Sequence, residues 1–271
     1  MRRVPVRRVA PVVVTIVCAV YVPRLLPQTA ELSERLLPTP VLEAVGPLVR
    51  LACLAVAAVF GLLSAARLER DNPARAPWFL LGAWLALFTL GQVGLVYYPL
   101  VARAPTPLPS VADAAFLLGY ALLIAASARF VFVYRASGFP VGSAREHLGI
   151  AAGAAAAMAI VGYPLLAPIA RAPVPLGERL INIAYPILDL IALVPALVML
   201  RIARAFRGGK VWAIWGSLLA GCALMAVGDI LFAFFSSAKV TAFGPGVDMM
   251  LLLGYFAAAC GTMLQYETIT D

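Results

Sequence analysis

Long apolar runs, separated by short polar or proline-rich loops, make up nearly the whole chain. Eight of these runs reach about the 20 residues that an α-helix needs to cross a bilayer. The predicted transmembrane segments are residues 9–27, 46–66, 78–101, 110–134, 147–170, 178–201, 211–236 and 246–265. The pattern therefore predicts an all-α integral membrane protein with eight transmembrane helices.

Polar positions recur within this pattern. Asp113 is followed after five residues by Gly119-Tyr120 at the start of the fourth predicted helix, and Asp248 is followed after five residues by Gly254-Tyr255 at the start of the eighth. Two further motif pairs occur in the same order: Pro47-Leu-Val-Arg50 with Pro186-Ile-Leu-Asp189, and Trp78-x12-Gly91-Gln92 with Trp215-x12-Gly228-Asp229. Because each half holds four helices, the two halves are expected to be parallel repeats, residues 1–135 and 136–271, within a single membrane domain.

Composition and charge support the membrane interpretation. Hydrophobic residues make up 63% of the chain and charged residues 13%, with a mean hydropathy of +0.96, whereas soluble domains are about 25% charged. The net charge of +8 comes from basic residues in alternate short loops, so it predicts topology rather than nucleic-acid binding. The positive-inside rule places these loops and both termini in the cytoplasm. The basic positions are the N-terminal arginines, Arg67, Arg70, Arg75, Arg135, Arg145, Arg201, Arg204, Arg207 and Lys210.

Six polar residues are predicted to lie at similar depths, toward the non-cytoplasmic side. They are Arg50, Gln92, Asp113, Asp189, Asp229 and Asp248, and the motif tyrosines Tyr120 and Tyr255 lie near the same level. A charge left facing lipid costs at least about 2.5–3.5 kcal/mol, so these side chains should face the bundle interior and find partners.

Two interpretations of this cluster remain open. The functional one is a ligand-binding pocket, with Arg50 paired to Asp189 or Asp229, or with Asp229 protonated. The structural one is internal hydrogen bonding, with Asp113 and Asp248 capping helix starts. Small residues at Gly149 and Gly153 favour close helix packing in the fifth predicted helix.

Several function classes lack their residues in this sequence. The single histidine, His147, falls in a loop, which argues against bis-histidine haem and histidine-based metal sites. No lysine lies in the middle of an apolar segment, as a retinal Schiff base would require. No complete catalytic motif is visible, so we expect neither an enzyme nor a cofactor.

Four strings resemble a known family. They are Pro109-Ser-Val-Ala-Asp-Ala-Ala-Phe-Leu-Leu-Gly-Tyr120, Ala184-Tyr-Pro-Ile-Leu-Asp-Leu190, Gly228-Asp-Ile-Leu-Phe-Ala233 and Asp248-Met-Met-Leu-Leu-Leu-Gly-Tyr255. Residues 46–265 are similar to the multi-pass N-terminal membrane region of bacterial signalling proteins. In that family the region precedes a diguanylate cyclase, phosphodiesterase or histidine kinase module, and here no such output domain follows. The resemblance implies a truncated sensor or a stand-alone relative that signals through other proteins.

The leading hypothesis is therefore a non-enzymatic sensory module that binds an unidentified ligand in the outer half of the bundle. Its expected partners are membrane lipids, a cytoplasmic signalling domain or partner protein, and a second copy of the chain. One alternative is a transporter of a small molecule, ion or lipid. Another is an intramembrane lipid hydrolase, because Gly228-Asp229 resembles a Gly-Asp helix motif of lysoplasmalogenase-like enzymes. The last is a structural subunit of a larger membrane complex.

Overall fold

The structure is a computed structural model that describes residues 6–139, 141–157, 159–160, 163–171, 173–237 and 244–270. Within these residues it consists of helices and connecting turns, without strands. The α-helices are α1 (Val6–Leu25), α2 (Pro27–Leu36), α3 (Thr39–Arg67), α4 (Arg75–Tyr97), α5 (Val111–Ala136), α6 (Ala144–Ala157), α7 (Tyr163–Arg171), α8 (Leu176–Ala203), α9 (Lys210–Ser237) and α10 (Gly244–Thr270). A π-helical turn, Tyr98–Ala102, extends α4, and a 3-10 turn, Arg204–Phe206, extends α8.

Seven helices of the described chain are long and apolar enough to cross a membrane: α1, α3, α4 with its π-helical turn, α5, α8, α9 and α10. The prediction of an all-α, multi-pass membrane protein is confirmed at this level. Of the segment predicted as residues 147–170, the structure describes α6, with 14 residues, residues 159–160 and α7, with 9, and neither helix alone is long enough to count among the seven. Residues 158, 161 and 162, between these two helices, lie outside the described part.

One helix was not predicted. Residues 27–36 form α2, whose sequence Pro-Gln-Thr-Ala-Glu-Leu-Ser-Glu-Arg-Leu is mostly polar and leaves no residue buried. Such a segment gives no membrane signal, so the search for apolar runs missed it. Arg24 of α1 pairs with Glu34 of α2 at 2.9 Å and holds the two helices together.

Six helices form a closed ring in the order α3, α4, α5, α8, α9, α10, with α10 packing again on α3. α1 lies against the outside of α10, and α6 and α7 lie against α8. The ring determines which polar side chains can meet, because each helix contacts only its two ring neighbours extensively.

The helix ends define two ends of the molecule. We call the end where α3, α5, α8 and α10 begin the acidic end, because Asp113 and Asp248 lie there. The opposite end, where α4 and α9 begin, is called the arginine-rich end. Gly177 at the start of α8 lies beside Pro109, which precedes α5, so α5 and α8 begin at the same end.

Aromatic side chains fill the ring near the arginine-rich end. The rings of Trp78 and Trp215, which occupy matching positions in the two sequence motifs, lie 6.1 Å apart. Phe130 packs edge-on against both, at 5.3 and 4.8 Å. Many apolar side chains point outward instead, such as Phe132 and Leu90, with exposed fractions of 67% and 62%. An apolar outer surface is expected where lipid replaces water.

Glycines allow two helix pairs to approach closely in the same way. On α4 and α5, a Cβ added to Gly91 would lie 2.6 Å from the Phe116 ring, and one added to Gly119 would lie 2.7 Å from Phe88. On α9 and α10, the equivalent distances are 2.8 Å from Gly228 to Leu251 and 2.9 Å from Gly254 to Met225. In both pairs, each helix has a glycine against which a side chain of the partner helix packs.

The predicted close packing at Gly149 and Gly153 of α6 is not seen in the described residues. A Cβ added to either glycine would have no described atom of a neighbouring element within 4 Å. Both residues are exposed, so small side chains at this spacing do not by themselves specify a helix contact here.

Candidate functional site

Two carboxyl groups meet at one tyrosine hydroxyl inside the ring. Tyr120 on α5 places its Oη 2.5 Å from Asp189 Oδ1 on α8 and 3.2 Å from Asp229 Oδ2 on α9. Tyr120 and Asp189 are only 2% and 6% exposed, and Asp229 is half-buried. We call these three residues the carboxyl pair site.

Helix positions explain why this site forms. Tyr120 and Asp229 lie about 14 Å and about 12 Å along their helices from the acidic end, at the rise of about 1.5 Å per residue. α8 packs between α5 and α9 in the ring, so Asp189 faces both neighbours. The site therefore lies in the half of the bundle toward the acidic end.

The number of hydrogens at the site constrains its protonation. A phenol has one hydrogen to donate, so Tyr120 can donate to only one of the two carboxyl groups at a time. Both contacts are hydrogen bonds only when one carboxyl group carries a proton and donates it to Tyr120 Oη. The shorter distance, 2.5 Å, marks Asp189 Oδ1 as the main acceptor from Tyr120, and Asp229 Oδ2 at 3.2 Å is the second acceptor within reach.

One oxygen of the site has no partner. Asp189 Oδ2 is buried without a hydrogen bond to any described residue. An unsatisfied buried polar atom costs about 1–3 kcal/mol, and such atoms often mark a place where a ligand, ion or water binds. The free oxygen gives the carboxyl pair site an available acceptor.

A second cluster lies closer to the acidic end. Asp113 accepts hydrogen bonds from the Ser110 backbone N–H at 2.6 Å and from the Ser110 hydroxyl at 2.9 Å, which caps the start of α5. Its other oxygen accepts from Tyr185 Oη of α8 at 2.6 Å. The capping interpretation of Asp113 is therefore correct, and the same carboxylate also joins α5 to α8.

The predicted pairing of Arg50 was wrong. Arg50 on α3 pairs with Asp248 on α10, with 2.9 Å between Nη1 and Oδ1, and not with Asp189 or Asp229. The reason is the ring order: α3 contacts α4 and α10, whereas Asp189 and Asp229 lie on α8 and α9. Depth alone could not distinguish these partners. Arg50 Nε is buried without a hydrogen-bond partner among the described residues.

The remaining predicted residues, Gln92 and Tyr255, have no hydrogen bond to the carboxyl pair site among the described contacts. Gln92 is 2% exposed and makes one long contact, 3.5 Å, to the Pro47 carbonyl oxygen. Tyr255 is buried on α10 and close enough to Asp229 and Arg50 to interact with them electrostatically.

Tyr185 and Ser110 belong to the polar network but were not among the predicted site residues. Tyr185 comes directly before Pro186 in the second copy of a repeated motif, yet Gly46 stands at the matching place in the first copy. A comparison of the two copies therefore gave no signal for it. Ser110, three residues before Asp113, has the spacing of a capping box and could have been identified from that spacing.

The carboxyl pair site can offer carboxylate oxygens to a cation or to a hydrogen-bond donor. Among the described residues, no group of three or more His, Cys, Asp or Glu side chains is arranged to hold a metal ion. In comparisons with known proteins, no family model, no curated protein and no solved structure matches this chain.

Proposed function

We propose that this chain is a sensory module of the bacterial inner membrane whose ligand binds at the carboxyl pair site. The observation that supports this most directly is the buried, unpartnered Asp189 Oδ2 in a site where the Tyr120 hydroxyl contacts both Asp189 and Asp229. A ligand with a positive charge or hydrogen-bond donors would satisfy this oxygen. It would also compete with Tyr120 for the two carboxyl groups.

Competition for Tyr120 provides a route to a signal. Tyr120 belongs to α5, and both carboxyl groups belong to α8 and α9, so loss of the Tyr120 contacts loosens α5 from its neighbours. A ligand shifts the bundle only if it binds one packing arrangement more tightly than the other. The ring passes such a shift through α9 to α10, which ends at the arginine-rich end.

We propose that the ring is built from two parallel repeats. Support comes from the matched contacts of Gly91, Gly119, Gly228 and Gly254, which occupy equivalent motif positions and receive equivalent neighbours. The polar contacts between the two halves also join equivalent helices. Tyr185–Asp113 joins α8 to α5, and Arg50–Asp248 joins α3 to α10. A functional asymmetry then arises because the first repeat has Gln92 at the position where the second repeat has Asp229.

We also propose that α6 and α7 together supply the eighth membrane crossing that the sequence predicted at residues 147–170. Glu146 at the start of α6 pairs with Arg201 near the end of α8, at the arginine-rich end. The chain must return to the acidic end before α8 begins beside Pro109. α6 and α7 are the described helices between these points, so together they would make the crossing, and both chain termini would lie in the cytoplasm.

A fusion experiment tests the sensory function. The full chain is joined after α10 to a cytoplasmic diguanylate cyclase domain, and cyclic di-GMP is measured in cells. We expect Asp189→Asn and Asp229→Asn to change the output, because an amide lacks the negative charge and the second acceptor oxygen that a carboxylate offers to a ligand. Glu69→Gln, an equivalent change at an exposed residue of the arginine-rich end, should leave the output unchanged. Wild-type output from both Asp variants, at equal membrane levels, would contradict the proposal.

A transporter is the second candidate, because the carboxyl pair site lies where the proposed halves meet. In parallel-repeat carriers, substrates bind at the interface between the halves. Reconstituted protein would then move protons or small cations across liposome membranes, which an internal pH dye and a sodium-sensitive dye detect. Flux that disappears in Asp229→Asn favours transport, and absence of flux with a changed cyclase output favours sensing.

A further inference from the structure

A groove opens between three helices at the arginine-rich end, far from the carboxyl pair site. Its walls come from the last turns of α3, the turn 68–74, the first turns of α4 and the last turns of α5, and its volume is about 1130 Å³. This volume exceeds the roughly 300–1,000 Å³ of most small-molecule pockets. The groove is therefore large enough for a lipid headgroup and the first part of its acyl chains.

The charges in this groove favour an anion. Three arginines line it, Arg70, Arg75 and Arg129, against one acid, Asp71. None of these arginines pairs with a carboxylate of the described residues. α4 begins here without an acidic residue in its first turn, so the partial positive charge of its N-terminus adds to the field.

Arg129 shows that the anion belongs to the membrane rather than to the aqueous phase. It lies seven residues before the end of α5, about 10 Å inside the helix at about 1.5 Å per residue. Its side chain is exposed, so it faces the region that lipid occupies. An arginine at such a position extends toward the interface and needs a phosphate or carboxylate there.

The apolar walls agree with this assignment. Phe79 and Phe132 line the groove with exposed fractions of 57% and 67%, and Leu62 and Leu80 line it between them. A soluble anion would not use these side chains, whereas acyl chains would cover them. Charge and apolar surface therefore occur together in the arrangement that a phospholipid presents.

We infer that this groove binds the phosphate of an anionic phospholipid through Arg70, Arg75 and Arg129, with an acyl chain against Phe79 and Phe132. The inference does not depend on the proposed sensory function, because no residue of the carboxyl pair site takes part. Such a lipid would join α3, α4 and α5 at one leaflet.

Lipid binding to the purified full chain tests the inference. The protein is stripped of lipid in a mild detergent, phosphatidylglycerol or phosphatidylcholine is added, and bound lipid is counted by native mass spectrometry. We expect tighter binding of phosphatidylglycerol. Arg129→Gln and Arg70→Gln should each weaken it about fivefold, since one basic residue near an anionic surface contributes about 1 kcal/mol. Arg129→Lys should keep most of the binding.

Arg135→Gln is the matched control, because Arg135 is an exposed residue of the same helix that does not line the groove. It should bind phosphatidylglycerol as the wild type does. Equal affinity for the two lipids, or wild-type affinity in both Arg129→Gln and Arg70→Gln, would overturn the inference. An equal loss in Arg135→Gln would assign the binding to the general basic surface. Displacement of the lipid by millimolar inorganic phosphate would indicate a soluble-anion site instead.

Discussion

Tyr120 is the residue on which the polar interior depends most. Its hydroxyl contacts carboxyl groups of two other helices, and its ring packs edge-on against Phe88 at 5.3 Å and tilted against Tyr185 at 6.2 Å. Removal of the hydroxyl would leave Asp189 with neither oxygen bonded to a described residue. The ring could remain in place, so the effect of the hydroxyl can be measured separately.

Tyr120→Phe is expected to lower the free energy of unfolding by about 1–3 kcal/mol, the cost of leaving a buried polar group unsatisfied. Reversible unfolding in mixed detergent micelles measures it. Tyr266→Phe serves as the control, because the Tyr266 ring packs on Phe60 but its hydroxyl has no hydrogen-bond partner among the described residues. A loss in Tyr120→Phe no greater than that in Tyr266→Phe would show that the carboxyl groups find other partners.

The residues of the site could be predicted from the sequence better than their pairings could. Asp189 and Asp229 were identified because an ionisable residue in an apolar segment is costly unless it is buried in the bundle. Their link through Tyr120, and the pairing of Arg50 with Asp248, depend on which helices are neighbours. That information lies in the packing of complementary surfaces, which depth estimates do not contain.

Among the elements, α6 shows how one charged residue attaches a helix that has little other support. The Glu146 carboxylate accepts hydrogen bonds from both terminal nitrogens of Arg201, at 2.9 and 2.8 Å. It also accepts one from the Ser143 backbone N–H, at 2.7 Å. These hydrogen bonds lower the pKa of Glu146 from 4.5 to about 2, and the hydrogen bond from Arg201 has the largest effect. α6 is thus joined to α8 by a carboxylate that stays ionised in mild acid.

The stabilising effect of Glu146 should depend on pH in a defined direction. Because its pKa is lower in the folded state, the contribution is complete above about pH 4.5 and disappears as the pH falls through about 2. Hydrogen exchange of the α6 amides, corrected for intrinsic rates, should therefore be faster in Glu146→Gln than in wild type at pH 6. The difference should shrink toward pH 2.

The matched control for this experiment is Arg204→Gln, a neutralised arginine three residues beyond Arg201 without an ion pair to a described carboxylate. It should leave α6 exchange unchanged at every pH. An undiminished difference between Glu146→Gln and wild type at pH 2 would assign the effect to packing rather than to the charge of Glu146.

The helices themselves were largely predictable, and the exceptions have physical causes. Apolar length identified α1, α3, α4, α5, α8, α9 and α10, because a membrane span must be long and apolar. It missed α2, which is polar. The fifth predicted segment, residues 147–170, contains residues 158, 161 and 162, which lie outside the described part of the chain, so that crossing stays a prediction.

At the scale of the whole molecule, the direction of α8 has the largest consequence. α5 and α8 begin at the same end, so the chain between them must change ends. In the proposed topology, this change of ends occurs through α6 and α7, which gives eight crossings and places both termini on one side. A seven-crossing chain would instead separate the termini and break the parallel relation between the proposed halves.

Cysteine labelling in intact cells measures this topology. In a background with Cys18, Cys53, Cys222 and Cys260 replaced by alanine, single cysteines are placed at residues 104 and 174, near the acidic end, and at residues 137 and 143, near the arginine-rich end. A membrane-impermeant maleimide should react from outside at residues 104 and 174. It should reach residues 137 and 143 only after the cells are permeabilised. Reaction at residues 143 and 174 from the same side would show that α6 and α7 do not cross the membrane. Exchange of the two patterns would keep the eight crossings but reverse the orientation that the arginines predict.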